Sequence, residues 1–386
     1  MEKIKLKDLF VIRKGKKVDP VEAPTEDTVR YIQIEDLRDD NHPKYCLANE
    51  NYVFANKNNI IIAWDGANAG TVSYGLEGVI GSTLAILETE EKNIYIPYVG
   101  KFLQSIFNYL RDTCTGATIP HISRNALENL IIPIPSLEKQ KFISDTLDKV
   151  KEIIYKRKAQ IEALDQLMQS VFLEMFGDPI NNTKDWRKII FNDVINSIRY
   201  GTSTPPEFSN DGYKFIRATN IKKGKIINDD MLFINEKEAE KLDKCKLKLH
   251  ELIFVRSGVN SGDNAIVTEE YAGHYGGYDI IVNINNEIVN PYYLNALFNS
   301  VYLDLIIKPL TRRAGQPHLN ADQIKNLNIQ LPPKNLQNKF ANIYKKIDKE
   351  KLNMIENLRA LEQNFNSLMQ RAFKGELFTE EKVSYL

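Results

Sequence analysis

A chain of 386 residues with 43% hydrophobic content is longer than one ordinary core needs and too apolar to be disordered, so two globular units with connectors are expected. No run approaches the ~20 uncharged apolar residues of a membrane helix, and MEKIKLKDLF is charged where a secretory leader is apolar, so a cytoplasmic protein is expected. Basic and acidic residues balance at 51 each, so the overall basic footprint of a nucleic-acid binder is absent. Any nucleic-acid contact must come from basic residues gathered on one face or from partners.

From the N-terminus, YIQI from Tyr31, NIIIAW from Asn59 and LAIL from Leu84 read as strands, with DGANAG from Asp65 as a hairpin turn. YVGKFLQSIFNYL from Tyr98 reads as a helix. Pro133 and Pro135 close this first α/β globule, since neither fits inside a helix that follows. Beyond them Ile143, Leu147, Val150, Ile154, Ile161, Leu164, Met168, Val171 and Met175 step by fours and threes, a heptad seam interrupted by Arg157. Gly177 stops that helix. The second half repeats the order: KFIRA from Lys214, ELIFVR from Glu251 and YDIIVNI from Tyr278 read as strands, SGVNSG from Ser257 as a turn, and Pro332 and Pro333 as the closing pair. A second seam follows through Phe340, Tyr344, Ile347, Met354, Leu358, Leu361, Phe365, Leu368 and Ala372, interrupted by Lys351 and stopped by Gly375. Arg157 and Lys351 are expected to snorkel into solvent.

The halves are copies. TGATIPHISRNALENLIIPIPSLEKQKF from Thr115 matches AGQPHLNADQIKNLNIQLPPKNLQNKF from Ala314, with His121 and His318 197 residues apart. LMQSVF from Leu167 matches LMQRAF from Leu368. YIQIEDL from Tyr31 pairs more weakly with FIRATNI from Phe215, as does DGANAG with SGVNSG. The expected layout is a duplicated α/β (α+β) protein: domains at 1–135 and 179–333, long helices at 136–178 and 334–378, and a tail at 379–386. Neither seam tolerates water, so the helices are expected to pair antiparallel about a pseudo-twofold axis. The seam from Ile143 to Met175 is about 50 Å long at ~1.5 Å per residue, more than the ~34 Å of one duplex turn. Packing of both helices into one globular core is the alternative.

TGATIPHIS running into PIPSLEKQ, the helix end LMQSVFLEMFGDP leading to Trp186, and the terminal LMQRAFKGELF carry a resemblance over the whole chain to the specificity subunits of type I restriction-modification systems. The second copy departs from the first in its shorter AGQPH and in Asn335, Leu336 and Gln337. The resemblance implies two target recognition domains, each reading half of a bipartite site in the major groove of double-stranded DNA. It also implies long helices that fix the unread gap and dock two methylation subunits and the restriction subunits. S-adenosylmethionine, ATP and magnesium then belong to those partners, with no cofactor in this chain.

No catalytic motif is legible. An adenine methyltransferase needs Asn/Asp-Pro-Pro-aromatic, a P-loop needs GxxxxGK[ST], and the stretch Pro205 to Phe208 and the turns at Gly66 and Gly258 supply neither. The five histidines lack metal-ligand spacing, and Cys46, Cys114 and Cys245 fit neither a disulfide frame nor a zinc site. A non-catalytic chain is expected, with a helical protein-binding scaffold as the competing reading.

DNA reading uses Arg or Lys for guanine and Asn or Gln for adenine, with many further donors to phosphate. In the first domain the candidates are Lys14, Lys16, Lys17, Gln33, Arg38, Asn68, Arg111, His121 and Arg124. In the second they are Arg199, Tyr200, Thr202, Ser203, Arg217, Asn220, Lys222, Lys223, Lys225, Asn260, Arg312, Arg313, Gln316 and His318. His121 and His318, each beside a proline, also fit structural hydrogen bonding.

Overall fold

The computed structural model describes residues 1–116 and 118–378; the expected tail at 379–386 lies outside the described residues. Contact density divides the chain into two units, Met1–Lys158 with the segment from Glu356 onward, and Ala159–Ile355. Each unit thus holds one α/β domain together with part of both long helices.

In the first unit Val11–Lys14, Leu84–Glu88, Ile60–Ala63 and Val72–Tyr74 form, in that order, an antiparallel sheet. Its two central strands are apolar from Ile60 to Ala63 and from Leu84 to Leu87 because both faces are covered. Ile60, Ile62, Ala85 and Leu87 pack with Tyr98, Val99 and Leu103 of the helix Ile96–Ser105. The alternate residues Ile61, Ala63, Leu84 and Ile86 pack with Ile32, Ala55 and Ile80 of a second, five-stranded sheet. The period of two along each strand therefore sorts side chains between two cores.

The second unit is built the same way. Ile195–Tyr200, Ile280–Ile284, Leu252–Phe254 and Asn264–Ile266 form the equivalent sheet. Leu252, Phe254, Ile280 and Val282 face the helix Pro291–Phe298. Ile253, Val255 and Ile281 face Ile216, Ile221 and Ile226. The second layer is where the copies differ: the five-stranded sheet is replaced by a three-stranded one and a hairpin, Ile221–Lys222 with Lys225–Ile226.

The long helices span Leu137–Phe176 and Lys334–Lys374. Gly177 and Gly375 follow with φ of 77° and 82°, a left-handed turn that glycine enters without strain. In the first unit Ile143 and Leu147, near the start of one helix, share a core with Phe365, Leu368, Ala372 and Phe373, near the end of the other. In the second unit Met168, Val171, Phe172 and Phe176 meet Leu336, Phe340 and Tyr344. Start meets end in both, so the segments pair antiparallel. Every seam position named from the sequence is buried or half-buried, including Val150, Ile154, Ile161 and Leu164 on one helix and Ile347, Met354, Leu358 and Leu361 on the other. Lys351 does not snorkel as expected: its side chain is only 17% exposed and its ammonium is paired with Asp165 across the seam. Arg157 is half-buried on the opposing seam.

A repeated polar device fixes where each long helix starts. Gln140 and Gln337 are fully buried. The Gln140 amide accepts from Tyr95 N at 2.8 Å and donates to the carbonyls of Asn93 and Pro135 at 2.8 and 2.9 Å. Gln337 accepts from Asn290 N and donates to Pro332 O, both at 2.7 Å. Tyr98 and Tyr293 add hydroxyl bonds to Pro133 O at 2.7 Å and Gln330 O at 2.9 Å. A buried polar group is tolerated when it is bonded, and here the bonds tie the helix start to the domain.

Candidate nucleic-acid interface

One end of each four-stranded sheet carries a rim of loops. In the first domain its centre is the turn from Asp65 to Gly70, joining Ile60–Ala63 to Val72–Tyr74, with Gly66 and Gly70 at φ of 96° and 91°. Asp65 accepts from Lys14 at 2.7 Å and meets His121 Nδ1 at 2.6 Å. Partial burial by itself would push the Asp65 carboxyl up. The hydrogen bonds and charges of Lys14 and His121 outweigh it and hold the group below the usual carboxylate range. Arg38 donates to Asn68 Oδ1 at 2.8 Å and Arg111 to Ala67 O at 3.0 Å. Lys16 bridges to Gly81 at the same sheet end.

The equivalent turn of the second domain runs from Ser257 to Gly262, with φ of 98° and 92° at Gly258 and Gly262. The Ser257 hydroxyl and His318 Nδ1 are 2.9 Å apart, so His318 ties its loop to the turn just as His121 does. Partial burial and the charges of Arg313 and Arg256 hold the His318 imidazole below its ordinary value. Gln316 lies beside Gly258, and its carbonyl accepts from Arg313 Nε at 2.5 Å. Tyr200 accepts from Ala321 N at 3.0 Å and offers its ring face to the Arg256 guanidinium, 4.8 Å from the centroid. Asn260 lies in the turn and Arg312 is exposed in the adjoining loop.

Both rims depend on backbones that nearly touch. A Cβ on Gly15 would sit 2.2 Å from Gly81 O, and one on Gly201 only 1.5 Å from Gly277 O. Only glycine fits at these crossings, which align Lys14 with Tyr200 at the same point of the frame.

The structure gathers Lys14, Lys16, Arg38, Asn68, Arg111 and His121 into the first rim, and Tyr200, Asn260, Arg312, Arg313, Gln316 and His318 into the second. Other candidates are placed differently. Arg199 makes a two-pronged ion pair with buried Glu251 at 2.7 and 2.8 Å and donates to the carbonyls of Lys244 and Lys246, so its donors serve the fold. Asn220 is fully buried, accepting from Arg217 N and donating to the carbonyls of Ile227 and Asp229. Arg217 donates to Asp230 O, and Lys225 pairs with Asp348 of the second long helix. Lys222 and Lys223 are exposed at the tip of the hairpin that Lys225 anchors. Thr202 closes a local turn with Thr204, and Ser203 lies exposed within it. Gln33 accepts from Lys44, Arg124 pairs with Glu128 at 2.7 Å on its own helix, and Lys17 is exposed beyond the sheet edge.

Two rim residues escaped the sequence reading. Arg256 was hidden at the end of the apolar run ELIFVR, and Asp279 within YDIIVNI. The weak match of DGANAG to SGVNSG carried a signal, because it sets Arg256 against Trp64. Among the described residues no group of three or more His, Cys, Asp or Glu could hold a metal ion, and no helix is long and apolar enough to cross a membrane. The cysteines are unpaired, with Cys46 and Cys245 buried and Cys114 half-buried.

Comparison with known proteins converges on one family. The model of the type I restriction modification DNA specificity domain matches residues 1–163 and again 183–363. The specificity subunit of the type I restriction enzyme MjaVIII from Methanocaldococcus jannaschii is 26% identical, over 92% of this chain and 87% of its own length. That of EcoBI from Escherichia coli is 21% identical, over 91% of this chain and 81% of its own. The crystal structure of the type I restriction-modification S subunit from M. genitalium shares the fold, with a TM-score of 0.62 at 15% identity and 96% of both chains covered. With both halves matched by the same domain model, the chain belongs to the type I restriction-modification DNA specificity family.

Proposed function

We propose that this chain is the sequence-reading subunit of a type I restriction-modification complex, each domain reading one half of a bipartite duplex site through the rim at its sheet end. The observation that carries the reading is the same frame built twice with different donors on the rim. Glycine crossings, buried glutamines and histidine ties recur at matching positions, whereas Lys14 becomes Tyr200 and Asp65 becomes Ser257. A duplicated enzyme would need the same chemistry in both copies; two readers of two different half-sites need different donors on one frame.

The rims supply Arg, Lys, Asn and Gln side chains, the groups that read base edges and hold phosphates. With a net charge of zero, affinity for duplex is weak unless partners contribute further basic surface. Methyl transfer and cleavage belong to those partners, two methylation subunits and the restriction subunits, docked on the long helices. S-adenosylmethionine, ATP and magnesium are bound by them, and the complex works in the cytoplasm. Helices of 40 and 41 residues, about 60 Å each at ~1.5 Å per residue, set the unread gap.

Exchange of residues 1–135 for the corresponding domain of another member tests this. Methylated adenines, mapped by single-molecule sequencing in a host that also makes the methylation partner, are expected to change in one half of the site only. A changed spacing with both half-sites kept would refute the division of labour. Adenine methylation by the purified chain alone would refute its non-catalytic role.

A further inference from the structure

We infer that Arg256 determines specificity in the second domain, its guanidinium, laid on the face of Tyr200, making a two-pronged contact to a guanine in the major groove. This rests on the reading of the chain as a DNA specificity subunit and adds to it the residue and the base.

Three observations single out Arg256. First, its donors are uncommitted. Among the described residues its side chain forms no hydrogen bond or ion pair, and its Nε is shut away from solvent without an acceptor. The Nε is enclosed by the protein, as Arg217 Nε is as well, whereas the two Nη groups are not buried and are free to meet a bound acceptor. Of the domain's other arginines, Arg199 is engaged with Glu251, Arg217 with Asp230 O and Arg313 with Gln316 O; Arg187 and Arg312 are exposed on irregular backbone.

Second, the backbone that carries Arg256 is fixed. Its N–H donates to the Asp279 carboxylate at 3.0 Å, and its carbonyl accepts from Leu319 N at 2.8 Å and from the Ser261 hydroxyl at 3.0 Å. The guanidinium lies over the Tyr200 ring, 4.8 Å from its centroid, which supports one face of the fork and leaves its two Nη groups without a partner among the described residues. That is what pairing with guanine O6 and N7 requires, and a lysine cannot reproduce it.

Third, the surroundings favour a neutral acceptor over a phosphate. Asp279 is 3% exposed, and its Oδ2 has no hydrogen-bond partner. Burial raises its carboxyl to about 6, against the opposing pull of the Arg256 N–H and charge, so at neutral pH it is mostly anionic. A buried negative charge here weakens attraction for a bare anion and leaves the directional fork intact. In the first domain the matching residue is Trp64, 8% exposed and within the core, so the effect belongs to one half-site.

The test maps methylated adenines by sequencing in a host carrying the methylation partner and either the natural chain or Arg256→Ala. The expected result is one guanine position made degenerate in one half-site, with the other half unchanged. Duplexes with 7-deazaguanine at that position should bind the natural complex about ten- to a hundredfold more weakly, and the Arg256→Ala complex without further loss. A motif unchanged at every position overturns the inference. So does a loss of affinity uniform across sequences with a salt slope reduced by about 0.9, the sign of a phosphate contact. Should Arg256→Ala methylate nothing, Arg256→Lys decides: a degenerate motif supports the fork, and the original motif at full stringency overturns it. If that variant is silent too, the inference falls unless one guanine N7 of the second half-site matters to the natural complex. A natural complex that leaves no motif at all sinks the specificity-subunit reading instead.

Discussion

Set side by side, the two rims exchange a cation and an aromatic ring. In the first domain the strand end carries Lys14 and the turn begins after Trp64; in the second the same two places hold Tyr200 and Arg256. Lys14 is engaged with Asp65 at 2.7 Å, whereas Arg256 lies on Tyr200 with its fork free. What does not change is equally informative. Gly15 and Gly201, Gln140 and Gln337, Tyr98 and Tyr293, and His121 and His318 each meet a requirement of the backbone: a close crossing, a helix start, a buried carbonyl, a loop tie. The two copies keep the residues whose loss would disturb the chain path and differ in the side chains set around each turn.

The aromatic anchors of the long helices break the comparison most forcefully. Phe172, 3% exposed, packs on Phe176, Tyr293 and Phe340 with centroids 5.2 to 6.0 Å apart. Its counterpart Phe373, 9% exposed, packs on Tyr98 and Phe102 at 5.4 and 5.3 Å. Phe172→Ala is expected to cost about 4 kcal/mol and Phe373→Ala about 3 kcal/mol. Hydrogen exchange should show the loss confined to the second unit for Phe172 and to the first for Phe373. Equal loss of protection throughout would mean that the units are not separately stable.

Asp279 comes next, with the opposite sign. Its carboxyl is raised to about 6, above the ~3.9 of an unfolded chain. Ionisation therefore opposes folding at pH above 6, and that cost vanishes as pH falls towards 4. Asp279→Asn keeps an oxygen for the Arg256 N–H and should stabilise the chain by up to about 3 kcal/mol at pH 8. Its advantage over the natural chain should shrink as pH falls from 6 to 4; an advantage independent of pH would show that charge is not the cause. The first domain behaves the other way, because Asp65 is held below the usual range. Its contribution is present at neutral pH and disappears as pH falls through its lowered value.

Truncating the buried glutamines is expected to cost about 2 kcal/mol each, since every truncation orphans buried backbone groups. Gln140→Ala should cost more than Gln337→Ala, because three backbone partners are lost rather than two. Chemical denaturation of the paired variants checks the order.

The sequence made the frame easier to read than the rims, for a physical reason. Burial along a helix leaves a trace every three or four residues, so the seam from Ile143 to Val171 could be followed without coordinates. The paired strands Ile60–Ala63 and Leu84–Glu88 were equally plain, being apolar on both faces. A rim donor leaves no such trace. Whether an arginine is free depends on acceptors far away in sequence: Arg199 is used up by Glu251 and two carbonyls, and Asn220 is turned inward to cap a loop. Arg256 looked like the end of a strand because the ring that holds it comes from Tyr200, in another strand.

The smallest expected effect concerns two ion pairs that join the helices. In the first unit Lys158 and Glu362 meet at 2.8 Å with side chains 57% and 42% exposed. Water screens that pair and two long side chains must be ordered to make it, so Lys158→Ala should cost no more than about 0.3 kcal/mol. In the second unit Lys351 occupies a seam position, its side chain 17% exposed, and pairs with Asp165. Lys351→Ala removes both the pair and the methylenes that cover the neighbouring seam residues, and should cost about 1 kcal/mol. Lys351→Leu separates the two contributions. If the stem matters more than the charge, leucine restores the loss, since the ammonium never had to be desolvated completely. If leucine is as costly as alanine, the Asp165 contact sets the register of the pair, and raised salt should then weaken the natural chain more than the variant.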